Sequence, residues 1–240
     1  MIRRLGNFFF KYRNLLFPVF FAVLAFGTRP AAGSETHEAL RYLAGFGIAL
    51  SGQVLRAMTI GLAYIVRGGK NREVYAKDLV VEGMFAHCRN PLYLGNILIV
   101  IGLAVIANSP YFYLLGIPAF LFIYYAIVVA EESFLSEKFG GAYQEYCRNV
   151  NRFIPSLKGF SDTLRGMTFK WQRLIVKEYG TTYTWTAGLV LLMMKNRYLQ
   201  YGPDASKGFI IMLVEILLGL TLLWATARFL KKKRILSERS

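Results

Sequence analysis

Six apolar stretches, at 15–27, 43–66, 92–107, 111–130, 179–194 and 209–230, leave this chain few folds to choose from. At about 1.5 Å of rise per helical residue, the second alone crosses a hydrocarbon core of roughly 30 Å. With 55% hydrophobic side chains in 240 residues, the composition lies outside the soluble class. The expectation is an all-α, polytopic helical membrane protein with about six transmembrane helices.

The formal charge is +15, from 29 Lys and Arg against 14 Asp and Glu. In a soluble chain that excess suggests nucleic acid. Here the cations gather in a few loops and at both ends, as the positive-inside rule and anionic headgroups require, so the bilayer is the expected partner and nucleic acid is not. Both termini are expected on the cytoplasmic side, with 231–234 (Lys-Lys-Lys-Arg) as an anchor. The outer loops then carry little beyond Arg29, Arg41, Lys195, Arg197 and Lys207. The basic start before residue 15 resembles a signal peptide, but only Ala31-Ala32-Gly33 offers a loose cleavage site, so 15–27 is read as an uncleaved span. Three segments follow: 1–42 with the first span, a membrane core at 43–155, and an extension at 156–240 with two more spans.

Within the core, the uncharged turn Asn108-Ser109-Pro110 is so short that 92–107 and 111–130 must form an antiparallel hairpin. Arg89 to Tyr93 and the pair Glu131, Glu132 therefore emerge together on one face. Residues 131–151 are amphipathic, with a break at Gly140-Gly141, and are expected to fold back over that mouth. Arg56 lies far from either end of its span, three residues after Gln53 and on the same face. A charge there costs roughly 2.5–3.5 kcal/mol on insertion scales, so it must face protein or water, either as a cavity wall for an anionic group or as half of a structural ion pair. Glu215, inside the last span, is either its partner or a contact across a homo-oligomer.

The chemistry concentrates between Gly83 and Gly95. Pro91 leaves the carbonyls before it without helical donors, and a charged, broken loop runs straight into an apolar helix. His87, Arg89, Asn90, Tyr93, Glu131 and Glu132, beside Gly83 and Gly95, offer a fixed cation, two carboxylates and neutral donors. That set suits a zwitterionic polar cofactor. It does not suit a metal, because adjacent glutamates diverge by about 100° on a helix and no paired-His spacing is present. No serine stands in a nucleophile elbow, and Cys88 and Cys147 read as ordinary free thiols.

Gly83-x-Phe85-x-His87-x-Arg89-Asn90-Pro91-x-Tyr93-x-Gly95 follows Leu79-Val80. After it come Glu131-Glu132-x-x-Leu135, Phe139-Gly140, Tyr143, Tyr146, Val150 and Arg152-Phe153-Ile154-Pro155. Together these resemble the isoprenylcysteine carboxyl methyltransferase and phospholipid methyltransferase superfamily. The resemblance covers roughly 43–155 and implies an integral membrane enzyme that uses S-adenosyl-L-methionine. Its cofactor residues would be Gly83, Arg89, Asn90, Pro91, Tyr93, Gly95, Glu131 and Glu132. Asn90 departs from the family's usual His in Arg-His-Pro-x-Tyr, and Asn takes no proton at neutral pH. The expected acceptor is a lipidic or small membrane-embedded carboxylate, amine or thiol. Arg56 or Arg152 would position a carboxylate, and His87 or Glu131 would take a proton from an amine or thiol. Two alternatives stand beside this. One is an NADPH-dependent membrane reductase of the sterol-reductase type, which shares an Arg-His-Pro-like motif. The other is a catalytically silent membrane scaffold.

Overall fold

A computed structural model describes residues 1–31, 35–62 and 76–236, the side chain of residue 35 excepted. Residues 32 and 33 of the small-residue site, the end of the second stretch at 63–66 and most of the polar loop at 67–82 lie outside the described residues. The described chain is all-α: α1 (Ile2–Gly27), α2 (Glu35–Leu62), α3 (Pro91–Ala107), α4 (Ile117–Phe139), α5 (Gly141–Asn149), α6 (Phe160–Gly166) and α7 (Trp171–Lys232). Among the described residues, four helices are long and apolar enough to cross a membrane: α1, α2, α4 with the turn before it, and α7; the 17-residue α3 is shorter.

The two spans expected after residue 178 are the two arms of α7, separate helices that meet at the non-helical Gly202. Its φ of 79° is a backbone conformation that glycine tolerates, and Pro203 next to it has no N–H to continue the ladder. The arms 171–201 and 203–232 lie side by side. Tyr183 stacks on Trp224 at 5.3 Å, and Lys231 Nζ donates to the Val176 carbonyl at 3.1 Å.

Helices α2 and α3 cross closely because glycines face each other. A Cβ on Gly95 would sit 2.8 Å from the Gly52 carbonyl oxygen, and one on Gly102 would sit 2.6 Å from the Ala49 nitrogen. Small residues that let backbones approach are the usual basis of helix pairing in lipid. The α3–α4 hairpin turns where Asn108 takes a left-handed φ of 48° and its amide nitrogen donates to the Ala31 carbonyl at 3.1 Å. One π turn at Phe112–Gly116 precedes Pro118, whose missing N–H breaks the regular ladder.

Helix α1 lies against α4, with Gly6 on the Ala126 carbonyl and an Arg3–Glu137 ion pair at the surface. This puts the start of α1, the start of α3 and the end of α4 on one face. Gly140, at φ 52°, separates α4 from α5 as the Gly-Gly pair predicts. Tyr143 and Tyr146 of α5 then pack with Leu135 and Ala76. At the opposite end, Glu38 accepts from Tyr42 at 2.6 Å and from Arg197 at 3.2 Å, and Lys195 donates to the Ala25 and Thr28 carbonyls. Two of the cations assigned to outer loops thus hold α7 to α1 and α2. Glu215 is exposed on the outer arm and is not the partner of Arg56.

Candidate active site

The broken loop before α3 is stitched down by its own chain. The Arg89 N–H donates to the Asn151 carbonyl at 2.9 Å, and the His87 carbonyl accepts from the Ser156 N–H at 3.0 Å. Tyr146 Oη donates to the Phe85 carbonyl at 2.7 Å. The groups that Pro91 leaves without helical partners are therefore largely taken up by 146–156, and α5 covers the loop. Pro91 itself occupies the first turn of α3, where a missing N–H costs nothing.

The hairpin brings the two halves of the motif into contact. Tyr93 Oη donates to Glu131 Oε1 at 2.7 Å, and Asn90 Nδ2 donates to Glu132 Oε1 at 3.0 Å. The two adjacent carboxylates then do different things. Glu131, Arg89, Asn90, Pro91 and Tyr93 line a cavity of about 720 Å³. Glu132 lies outside the lining: it pairs with Arg152 at 2.8 Å and with Arg89 Nε at 3.3 Å, while Arg89 Nη1 donates to the Cys147 carbonyl at 3.2 Å. Glu132 thus fixes Arg89 and Asn90 from behind instead of facing a cofactor. Arg152 is its counter-ion and does not reach the cavity.

Three other expectations change. His87 is buried outside the lining with both ring nitrogens engaged. Nδ1 lies 2.8 Å from the Ser156 carbonyl, which only accepts, so Nδ1 carries a proton; Nε2 lies 2.9 Å from Thr163 Oγ1, and Phe160 packs on the ring edge. It has no spare nitrogen for a substrate. Gly83 is a turn residue with φ 62° ahead of a short 3₁₀ helix, and it does not line the cavity. Gly95 is needed for the α2–α3 approach. Cys88 is fully buried, and burial pushes its thiol up.

Arg56 lines the cavity and is also half of an ion pair. Its Nη2 lies 2.6 Å from Glu178 Oε1, its Nε donates to Glu178 Oε2 at 2.8 Å, and its Nη1 donates to Asn96 Oδ1 at 2.6 Å. Gln53 joins the same network, accepting from Trp185 Nε1 at 2.8 Å. Arg56 thus lines the cavity while paired, since a guanidinium has donors enough for a partner and a wall.

The remaining walls come from helices that the motif does not include. α1 supplies Arg13, Asn14, Phe17 and Pro18, and α7 supplies Arg173, Lys177, Glu178, Thr181, Thr184 and Trp185. Arg173 also caps α2, with 2.7 Å bonds to the carbonyls of Ile60 and Gly61. Segments 1–42, 43–155 and 156–240 therefore share one cavity. Arg13 has one sequence signal, as a cation just ahead of an apolar stretch; Glu178 has none until α7 is seen to pack against Arg56 of α2.

The lining holds five cations, Arg13, Arg56, Arg89, Arg173 and Lys177, against the carboxylates Glu131 and Glu178. One buried acceptor is unused: Asn90 Oδ1 has no hydrogen-bond partner. Unpaired buried amide oxygens are uncommon, and this one belongs to a residue of the cavity wall. A guanidinium, a carboxylate and a spare acceptor on one wall fit the carboxylate, ammonium and hydroxyl groups of a zwitterionic nucleoside cofactor. Among the described residues, no group of three or more His, Cys, Asp or Glu is placed to hold a metal ion.

Fold and lining together define an all-helical membrane protein with a charged cavity near one face. Residues 40–142 match the phospholipid methyltransferase family, which belongs to the isoprenylcysteine carboxyl methyltransferase-like superfamily. The chain is 29% identical over 162 residues to the cobalt-zinc-cadmium resistance protein CzcN of Cupriavidus metallidurans, covering 65% of this chain and 69% of that protein. It is 31% identical over 83 residues to the nickel-cobalt-cadmium resistance protein NccN of Alcaligenes xylosoxydans xylosoxydans, covering 35% of this chain and 38% of that protein. No solved structure matches the chain.

Proposed function

We propose that this protein transfers a methyl group from S-adenosyl-L-methionine to a lipidic or small membrane-embedded acceptor that reaches the cavity from the bilayer. The observation that carries this is the wall on which Arg89, Asn90, Tyr93 and Glu131 converge, with a buried Asn90 oxygen left unused. Arg89, held by Glu132 and the Cys147 carbonyl, binds the cofactor carboxylate. Glu131, oriented by Tyr93, takes the ammonium or a ribose hydroxyl, and Asn90 Oδ1 accepts one further N–H or O–H. Bound there, the cofactor supplies an electrophilic methyl on a positive sulfur.

The protein's own contribution is to hold two reactants in line and to keep water out. A carboxylate acceptor needs no base. An amine or thiol acceptor passes its proton to Glu131, since His87 is turned away from the cavity. Asn90 in place of the family His therefore acts in binding and takes no part in proton transfer. The acceptor stays in the membrane plane, and both termini lie on the cytoplasmic side with the cavity.

Calorimetry in detergent tests the cofactor site. Arg89→Ala and Glu131→Ala should each weaken S-adenosylmethionine binding by tenfold or more, and unchanged affinity in both sinks the assignment. The product is best sought by feeding labelled cofactor and fractionated lipid to purified protein. Given the names of the two relatives, lipid from cells grown with and without nickel or cobalt should be compared.

One observation favours a second reading. A phosphate-bearing nicotinamide cofactor needs several cations around its pocket, and the lining has five. Quenching of NADPH fluorescence by the protein would support a reductase, and its absence would remove that alternative.

A further inference from the structure

Further into the bundle than Arg89, Asn90, Tyr93 and Glu131, the cavity has a second polar level. Asn96 lies three residues after Tyr93 on α3, and Tyr124 lies seven residues before Glu131 on α4; both line the cavity. Both spacings stay near one helix face, and the two helices run antiparallel. At 1.5 Å per residue the two side chains therefore stand about 4–5 Å and about 10 Å deeper than the residues they follow and precede. Tyr124 is 4% exposed, its ring held 4.8 Å from that of Phe17 and 5.9 Å from that of Tyr93. Phe17, Ile99, Val100 and Trp185 supply apolar wall around this level.

Much of the polar wall here is already committed. Arg56 is matched by Glu178 at 2.6 Å, Trp185 Nε1 donates to Gln53, and Thr184 Oγ1 donates to the Gly180 carbonyl at 2.9 Å. Asn96 is committed only by half. A guanidinium can only donate, so the 2.6 Å contact with Arg56 Nη1 fixes the amide with Oδ1 toward Arg56 and Nδ2 away from it. Asn96 Nδ2 and Tyr124 Oη have no hydrogen-bond partner among the described residues, and both keep some accessible surface on a residue of the cavity wall. The structure thus presents an amide donor and a phenol, with rigid neighbours, to whatever enters from the bilayer.

We infer that Asn96 Nδ2 and Tyr124 Oη hold the head of the methyl acceptor, and that they select an apolar molecule whose head presents a hydrogen-bond-accepting oxygen. The word acceptor rests on the methyltransferase reading, but the selection itself is a matter of binding. Nδ2 only donates, so it offers an ammonium nothing, and a neutral amine finds only the phenol oxygen. An ester, amide or acid oxygen accepts from both. Arg56, bonded to Asn96 Oδ1, makes the amide a better donor, because hydrogen bonds in a chain polarise one another.

The test uses the full chain in neutral detergent with Trp171→Phe and Trp224→Phe, so that Trp185 on the cavity wall is the sole fluorophore. The probes share one brominated chain and are read by quenching: dibromostearate methyl ester, dibromo-octadecane and dibromo-octadecylamine. The uncharged ester should bind about tenfold more tightly than the alkane or the amine, as two hydrogen bonds allow. Tyr124→Phe keeps the ring packing, removes only the hydroxyl, and should cut that preference about threefold. Asn96→Asp keeps an oxygen toward Arg56 and exchanges the two N–H donors for an acceptor, so the amine should now bind more tightly than the ester. Equal binding of the three probes in wild type, or an ester preference that survives both substitutions, overturns the inference. Calorimetry keeps the two readings apart. Both variants should bind S-adenosylmethionine within about threefold of wild type, and a loss of about tenfold in either would assign the pair to the cofactor and overturn the acceptor site. No cofactor binding in wild type with the ester preference intact sinks the methyltransferase reading alone.

Discussion

Glu178→Ala removes the carboxylate that pairs with Arg56 among the described residues while leaving the guanidinium where it is. The two side chains are 11% and 4% exposed, so solvent screens the orphaned charge very little. Breaking such a pair from one side typically costs about 3–5 kcal/mol, because desolvation of the remaining ion is no longer offset. For a chain of this size, each kcal/mol moves the melting midpoint by about 2–4 °C, so the variant should melt roughly 6–20 °C below wild type. Tryptophan fluorescence during a thermal ramp in a fixed detergent reads this directly. Replacing both partners, Arg56→Met with Glu178→Leu, should recover most of the loss, since a volume-matched apolar pair needs no desolvation. If Glu178→Ala melts within about 2 °C of wild type, Arg56 is solvated by the cavity and does not depend on its partner. If the double variant falls as far as the single, packing rather than charge holds α7 in place.

His87→Ala should lower stability by about 1–3 kcal/mol, as expected for two lost buried hydrogen bonds, and leave cofactor affinity within threefold; a tenfold loss of affinity would return His87 to the site. Gly102→Ala should destabilise by about 1–3 kcal/mol because its methyl meets the Ala49 backbone, whereas Gly219→Ala, with open space around it, should change the melt by no more than a degree. Maleimide at neutral pH should label Cys147 and spare Cys88, whose thiol is held protonated by burial; mass spectrometry of the digested protein counts the adducts, and rapid labelling of Cys88 would show that the 83–90 loop opens.

The hairpin was the most legible part of the site. The turn at Asn108-Ser109-Pro110 has no room for any arrangement except antiparallel neighbours, and the Tyr93–Glu131 contact follows from it. Gly140 announced its break because a residue with φ 52° ends a helix wherever it falls. Arg56 was legible as a charge in need of company, but its partner lies 122 residues away on the first arm of α7, outside the motif. Gly95 misled for a different reason: a glycine that admits a ligand and one that admits a neighbouring helix look identical in sequence. Glu131 and Glu132 could not be told apart until their contacts were known, since adjacent helical residues always diverge and the pattern does not say which one turns inward.

The long sequence separation between Arg56 and Glu178 also bears on how the protein is made. At 5–20 residues per second, the ribosome delivers Glu178 roughly 6–24 s after Arg56, given the 122 residues between them. During that interval α2, α3 and α4 exist, complete with the residues of the motif, but the charge inside α2 has no counter-ion. The nascent bundle must wait beside the insertion machinery or hold Arg56 toward water until the first arm of α7 arrives. Neutralisation of Arg56 is thus a late step in biogenesis, and the same step closes the cavity wall.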